Sequence, residues 1–208
     1  MFLFTHLTIL IASVVVVFAS DNESFGCGKG LFSACDDQGR RLQFKGEDDP
    51  TEDVIRSAYL LEHNNAREAE NVAEGSSLIP LEWNETLAAF AQAHVEKCVF
   101  ENSVRKINDE WIGENMYIRT SPTVEAAVVL ETWYMDQKAD YDFGANTCSQ
   151  RCAEYLQVVW EDTTQVGCGV TTCAALDVLD QTWQNAAYVS CTYYPAGALS
   201  GMRPYELT

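Results

Sequence analysis

Basic residues are scarce in this 208-residue chain. Lys and Arg number 13 against 31 Asp and Glu, for a formal net charge of −18. A chain this acidic is repelled by nucleic acid and by anionic membrane surfaces, so neither is expected as a partner. The excess acid also serves solubility. Histidine is rarer still, with three residues, and His6 falls in the leading apolar stretch. Chemistry that depends on imidazole has only His63 and His94 to draw on. No Cys-x-x-Cys pair occurs, and "CSQRC" spaces its thiols by four, which argues against zinc ribbons and redox dithiols. Internal repeats and low-complexity tracts are missing, which argues against solenoids and arrays. Beyond residue 20 no run is long and apolar enough to span a bilayer.

The first 20 residues, "MFLFTHLTILIASVVVVFAS", carry no charge and are apolar from Leu7 to Phe18. Val17 and Ala19 suit the −3 and −1 positions of a signal-peptidase site, so residues 1–20 read as a secretory signal peptide. A mature chain of about 188 residues buries roughly 70% of the surface it exposes when unfolded, enough for a core without metals. All eight cysteines follow the signal, and in a secreted chain they read as disulfides. Two sequons, at Asn22 and Asn84, are glycosylation candidates.

Residues 21–50 are rich in Gly and Asp, hold Cys27 and Cys35, and show no apolar period, so they read as an irregular cysteine-stapled arm. Residues 51–208 form the main domain. Val54, Ala58 and Leu61 mark a first helix. Asn84 caps a second, over residues 85–97, with Leu87, Ala91, Val95 and Cys98 as its buried stripe. Residues 114–119 suggest a short strand. Ser121 followed by Pro122 predicts the start of a helix over residues 122–139 that is apolar on more than one face. Its central burial is the simpler reading, and a face lining a ligand cleft is the other. Residues 156–161, 167–172 and 186–193 read as antiparallel strands. Helices early and strands late predict an α+β fold.

Six segments, taken together, resemble the CAP superfamily of cysteine-rich secretory, wasp-venom antigen and pathogenesis-related proteins (SCP/TAPS). They are "HNNAR" at 63–67, "LEWNETLAAFAQAHVEKC" at 81–98, "GEN" at 113–115, "WYMD" at 133–136, "LQVVWEDT" at 156–163 and "YVSCTYYPAGAL" at 188–199. The chain looks most like the venom-allergen-like proteins of parasitic worms. The resemblance implies a three-layer α-β-α sandwich around a small antiparallel sheet. It also implies the disulfides Cys98–Cys173 and Cys168–Cys191. Cys27, Cys35, Cys148 and Cys152 remain, and four cysteines allow three pairings. Two local pairs are expected, with an arm-to-loop bridge as the rival.

Many members of the family carry two His and two Glu in a central cleft, where the histidines bind a divalent ion, often zinc. The corresponding positions here are Asn102, Glu114, Asp136 and Glu154. Both imidazoles are gone, which speaks against zinc. No cofactor is expected. Clustered oxygen ligands suit at most weak Ca²⁺ or Mg²⁺ at Glu114, Asp136 and Glu154, and without a cation their repulsion raises the pKa of at least one. His63 and His94 are expected to be structural. With no base or metal-bound water, no catalytic residue is assigned, and the chain reads as a non-enzymatic protein. A metal-dependent hydrolase is the weaker alternative.

The resemblance further implies lipid binding. A sterol would engage the loop at residues 136–151 through Tyr141 and Phe143. A fatty acid would lie between the first and central helices, along Leu60, Leu61, Val124, Val128, Trp133 and Tyr134. A secreted receptor ligand or immune effector, with an extracellular protein receptor as its partner, is the competing reading.

Overall fold

Residues 50–207 are described by a computed structural model. The signal peptide, the arm, Asn22, Cys27 and Cys35 lie outside the described residues. The elements run α1 (Pro50–Glu74), β1 (Glu82–Trp83), α2 (Glu85–Val95), β2 (Lys106–Ile107), β3 (Glu110–Trp111) and β4 (Gly113–Arg119). They continue with α3 (Ala126–Leu130), a π-helical turn (Glu131–Asp136), β5 (Tyr141–Asp142), β6 (Thr147–Cys148), α4 (Ala153–Val158), β7 (Gln165–Val178) and β8 (Gln181–Tyr194).

One sheet orders its strands β1-β7-β8-β4, with β1 parallel to β7 and the other pairs antiparallel. Side chains alternate across a strand, and this alternation divides the sheet into two faces. Val166, Cys168, Val189, Cys191 and Tyr193 join the core shared with α1, α3 and α4. Cys173, Ala186 and Tyr188 face the other way and pack with Val95 of α2. Between them on that face, Gly167 and Gly169 let the α2 backbone rest on β7. A Cβ on Gly167 would stand 2.2 Å from Ala88 N, and one on Gly169 would stand 2.3 Å from Gln92 N. The result is α2 on one face, the sheet in the middle, and the remaining helices on the other: an α+β, three-layer arrangement.

Local chemistry accounts for the helix ends. Asn84 Oδ1 accepts from the Thr86 and Leu87 amides, the N-cap predicted for α2. Its Nδ2 donates to Gln165 Oε1 at 2.8 Å, so the sequon at Asn84 has its acceptor nitrogen committed inside the fold. The helix predicted from Pro122 begins at Ala126 instead. The Ser121 carbonyl accepts from Ala187 N and the Pro122 carbonyl accepts from Thr172 Oγ1. Both carbonyls are tied to the sheet and unavailable to a helix.

Residues 156–161, expected as a strand, are instead the end of helix α4 and the turn that follows it. A short apolar run has the same pattern in a buried helix and in a strand. Arg67 holds its far end. This guanidinium is buried, and it donates to the carbonyls of Ile79, Val158, Trp160 and Thr163 at 2.8–3.4 Å. Two asparagines of α1 hold the loop that follows it. Asn64 brackets both backbone groups of Leu81, and Asn71 does the same for Leu78.

The disulfides Cys98–Cys173, Cys168–Cys191 and Cys148–Cys152 are formed. The first closes a loop of 75 residues, which in the chain-entropy account contributes about 4 kcal/mol. The second joins directly opposed residues of β7 and β8. The third is the local pair in the loop before α4.

His63 sits fully buried in this frame. Its Nδ1 lies 2.7 Å from the Tyr59 carbonyl, which only accepts, so Nδ1 carries the proton. Nε2 then accepts from the Tyr193 hydroxyl at 2.8 Å. The same hydroxyl accepts from Asn115 Nδ2 at 3.2 Å. The ring is held neutral, with its pKa lowered to about 4. Burial is the main cause, the Tyr59 bond opposes it, and the Arg67 charge adds to it.

The folded pKa lies below the unfolded value, so stability is full above about pH 6.5 and falls as pH drops through 4. The fall attributable to His63 is about 3 kcal/mol. Urea midpoints between pH 7 and 4 check this: a His63→Gln variant should lose that part of the acid sensitivity.

Candidate functional site

A cavity of about 500 Å³ opens beside α4 and β4, lined by the hairpin residue Trp111, by Ile112 and Glu114, by Glu154 and Gln157, and by residues 196–200. Asn102, Glu114 and Glu154 all line it. Glu114 is placed by β4, where it pairs with Thr192 of β8. Its carboxylate accepts from Ser103 N at 2.9 Å and from Ser190 Oγ at 3.4 Å. Glu154 stands in the first turn of α4. Its carbonyl accepts from Asn115 Nδ2 at 3.0 Å.

Asp136 does not join them. It is exposed, and the next residue, Gln137, turns inward. Gln137 Oε1 accepts from the Glu154 and Tyr155 amides, at 3.2 and 3.3 Å, and so caps α4. The cause is the π-helical turn over Glu131–Asp136, whose wider winding displaces the face by one residue. The carboxylate cluster expected from three acids is therefore reduced to two.

Each of those two carries an arginine. Arg105 Nε lies 3.7 Å from Glu114 Oε2, and Arg105 Nη2 donates to Asn102 Oδ1 at 2.7 Å. Arg151 clasps Glu154 with two nitrogens, Nε at 2.9 Å from Oε2 and Nη2 against Oε1. The repulsion expected between bare carboxylates is thus met by guanidinium. The donor set does not fit zinc. It has no imidazole or thiolate, and a cation there would compete with two fixed positive charges.

The lipid-site residues are scattered. A groove of about 230 Å³ lies between α1 and α3, walled by Ala66, Ala69, Ala127, Leu130, Tyr134 and Met135. Of the six channel residues expected, only Tyr134 lines it. Trp133 is 1% exposed and donates Nε1 to the Met116 carbonyl at 3.3 Å. Leu61 faces solvent. Leu60 and Val124 pack against the core, and Val128 is half-buried outside the groove. The late start of α3 and the π turn change which residues share a face.

Tyr141 and Phe143, expected at an exposed loop, are half-buried. Tyr141 packs against Tyr155, and Phe143 stacks on Tyr205 with ring centroids 5.1 Å apart. Arg203 lies over the Phe143 ring, 4.9 Å from its centroid, and donates to the Gly144 carbonyl.

A centre that the motifs did not reveal lies beneath this loop. Glu70 has no exposed surface. Oε1 accepts from Tyr155 at 2.7 Å and Tyr205 at 2.5 Å, and Oε2 from Tyr134 at 2.8 Å and Lys138 at 2.9 Å. Burial alone would raise its pKa. The four donors outweigh burial and hold it below the usual carboxylate value. Tyr134 is pushed up to about 12, by burial and then by Glu70. A glutamate three residues after Arg67 gives only a weak hint, because on a helix period it falls on the same inner face.

A profile of the cysteine-rich secretory protein family matches residues 60–193. The chain belongs to the CAP family. Human peptidase inhibitor 16 is 32% identical over 149 residues, which is 71% of this chain and 31% of that protein. The GLIPR1-like protein 1 of Bos taurus is 34% identical over 163 residues, 74% of this chain and 64% of that one. This chain thus spans about a third of the first and under two thirds of the second. Among solved structures, the Schistosoma mansoni venom allergen-like protein 4 is similar at 26% identity and TM-score 0.58, covering 74% of this chain and 94% of that one. NaASP2, crystallised with Zn²⁺, shares the fold at 23% identity and TM-score 0.57, over 74% of this chain and 85% of that one. The CAP fold and the kinship with worm venom-allergen-like proteins agree with the sequence reading.

Replacing Glu70 with Gln removes the charge that four donors share, and should lower unfolding stability by about 3 kcal/mol. Tyr205→Phe should cost about 1 kcal/mol. Urea midpoints at pH 7 measure both.

Proposed function

We propose that this CAP protein is secreted and non-enzymatic, and that it binds lipid by laying an acyl chain in the groove between α1 and α3. The observation that carries the reading is the groove itself, with small residues on both helices, Ala66 and Ala69 against Ala127, and the apolar flanks of Leu130, Tyr134 and Met135. Small facing residues leave room for a chain where two helices would otherwise close. Met135 is 60% exposed at its edge, and a flexible thioether adapts to varied apolar ligands. Glu62 and Glu131 stand on the rim, so a charged head group stays outward in solvent.

The chemistry argues against turnover. Every cysteine among the described residues is in a disulfide. His63 and His94 are buried and bonded within the fold. The two cleft acids are engaged by arginine. Secretion fits the signal-like leader, the disulfides and the family. No helix among the described residues is long and apolar enough to cross a membrane. A sterol at Tyr141 and Phe143 would first have to displace the packing of Tyr155 and Tyr205, so the helix groove is the favoured site.

Labelled palmitate should bind the purified, disulfide-formed protein saturably. Ala127→Trp, which fills the groove, should weaken it about tenfold or more. Tyr141→Ala with Phe143→Ala should leave palmitate unchanged. Absence of saturable palmitate and cholesterol binding would contradict lipid carriage and turn attention to a protein receptor.

A further inference from the structure

The cavity beside α4 turns two exposed guanidiniums to solvent, where an imidazole and carboxylate site would offer its ligands to a cation. We propose that it is an oxyanion-binding cavity, which takes a small ligand with an apolar body and a carboxylate or phosphate head, with Arg105 and Arg151 as the head-group donors. Basic residues are few in this chain, 13 against 31 acids, yet two arginines line this one cavity. Their acidic partners do not cancel them at the surface. The Glu114 side chain is 0% exposed behind an Arg105 that is 44% exposed, and Glu154 is 8% exposed behind an Arg151 that is 70% exposed. A ligand entering the cavity meets guanidinium first.

Each guanidinium has donors to spare. It carries five N–H bonds in a rigid fork. Arg151 commits Nε and Nη2 to Glu154, and Arg105 commits Nη2 to Asn102 with Nε turned toward Glu114. The Nη1 edge of each remains for a ligand. The buried carboxylates fix the two forks in place beforehand, which spares the ligand the entropy of ordering them. A planar fork matches the paired oxygens of a carboxylate or phosphate. The walls suit an apolar body, with Trp111, Ile112, Met116 and Leu199 among the lining residues. The volume, about 500 Å³, is that of a small-molecule pocket. A divalent cation meets the same two guanidiniums and would have to displace both to reach oxygen ligands. The inference is independent of the lipid groove between α1 and α3, which shares none of these residues.

Isothermal titration of the secreted, disulfide-formed protein tests it, with 1-naphthoate, 1-naphthyl phosphate and neutral 1-naphthamide as probes. Saturable heat is expected with at least one anion and none with the amide. Tighter naphthoate assigns a carboxylate head, and tighter naphthyl phosphate assigns a phosphate head. Arg105→Gln and Arg151→Gln should each weaken the bound anion about tenfold. Ser200→Asp places a negative charge on the wall while leaving Arg105 and Arg151 themselves unaltered. It should weaken the anion as well, so the test stands even where an arginine variant folds poorly. Ala127→Trp, in the other groove, should change nothing. The proposal is overturned if neither anion gives saturable heat, if naphthamide binds as well, or if all three cavity variants bind like the parent. Saturable Ca²⁺ or Zn²⁺ binding that Glu114→Gln abolishes would also overturn it.

Discussion

A carboxylate without water around it must find donors in the protein or give up its charge. Glu70 is placed this way, and the helical layer is gathered around it. Its four donors come from the π turn, from Lys138 just beyond that turn, from α4 and from the C-terminal segment. Turning Tyr155 toward Glu70 also sets the rotation of α4. Successive helical residues step by about 100°, so Glu154 and Gln157 are carried round to the cleft. Tyr205 brings the last residues across the loop, where its ring meets Phe143. One buried charge thus positions the face of the cleft and packs down the loop that family resemblance assigns to sterol.

The cleft meets the same demand differently. Glu114 and Glu154 are buried acids in the cleft where the family resemblance implies a metal, and Glu154 stands where it implies an imidazole. Here arginine supplies the positive charge. Arg151 reaches Glu154 from three residues before it, across the start of α4, and Arg105 approaches Glu114 from the segment ahead of β2. A metal brings its charge from solution and can leave, whereas a guanidinium is permanent. The exchange keeps the fold's acids satisfied and places guanidinium between them and solvent.

Much of the architecture was legible in the residues. The Asn84 cap, the buried stripe of α2 and the strand at Gly113–Arg119 follow from capping chemistry and apolar spacing. The β7–β8 hairpin extends beyond the residues its apolar runs predict, because Cys173–Val178 buries only Cys173 and Leu176 among exposed residues and Gln181–Asn185 is largely exposed. Residues 156–161 read as a strand because a short apolar-rich run carries no decisive period. Ser121 and Pro122 form a strong local start signal for α3, which the sheet overrides through two carbonyl bonds. The spacing of a single sequence assigns Asp136 to the cleft because a π turn leaves no mark in it. The roles of Arg105 and Arg151 are not legible in the sequence for a related reason: which acid an exposed arginine reaches depends on tertiary placement.

Anomalous diffraction from one crystal form tests the exchange of metal for guanidinium most directly. Crystals would be soaked with zinc and 4-bromobenzoate together, and data collected at both absorption edges. Bromobenzoate bound with its carboxylate on the free edges of Arg105 and Arg151, and no zinc between Glu114 and Glu154, is the result this account predicts. Zinc held by Glu114 and Glu154, with the two arginines swung away and no bromine in the cavity, would contradict it.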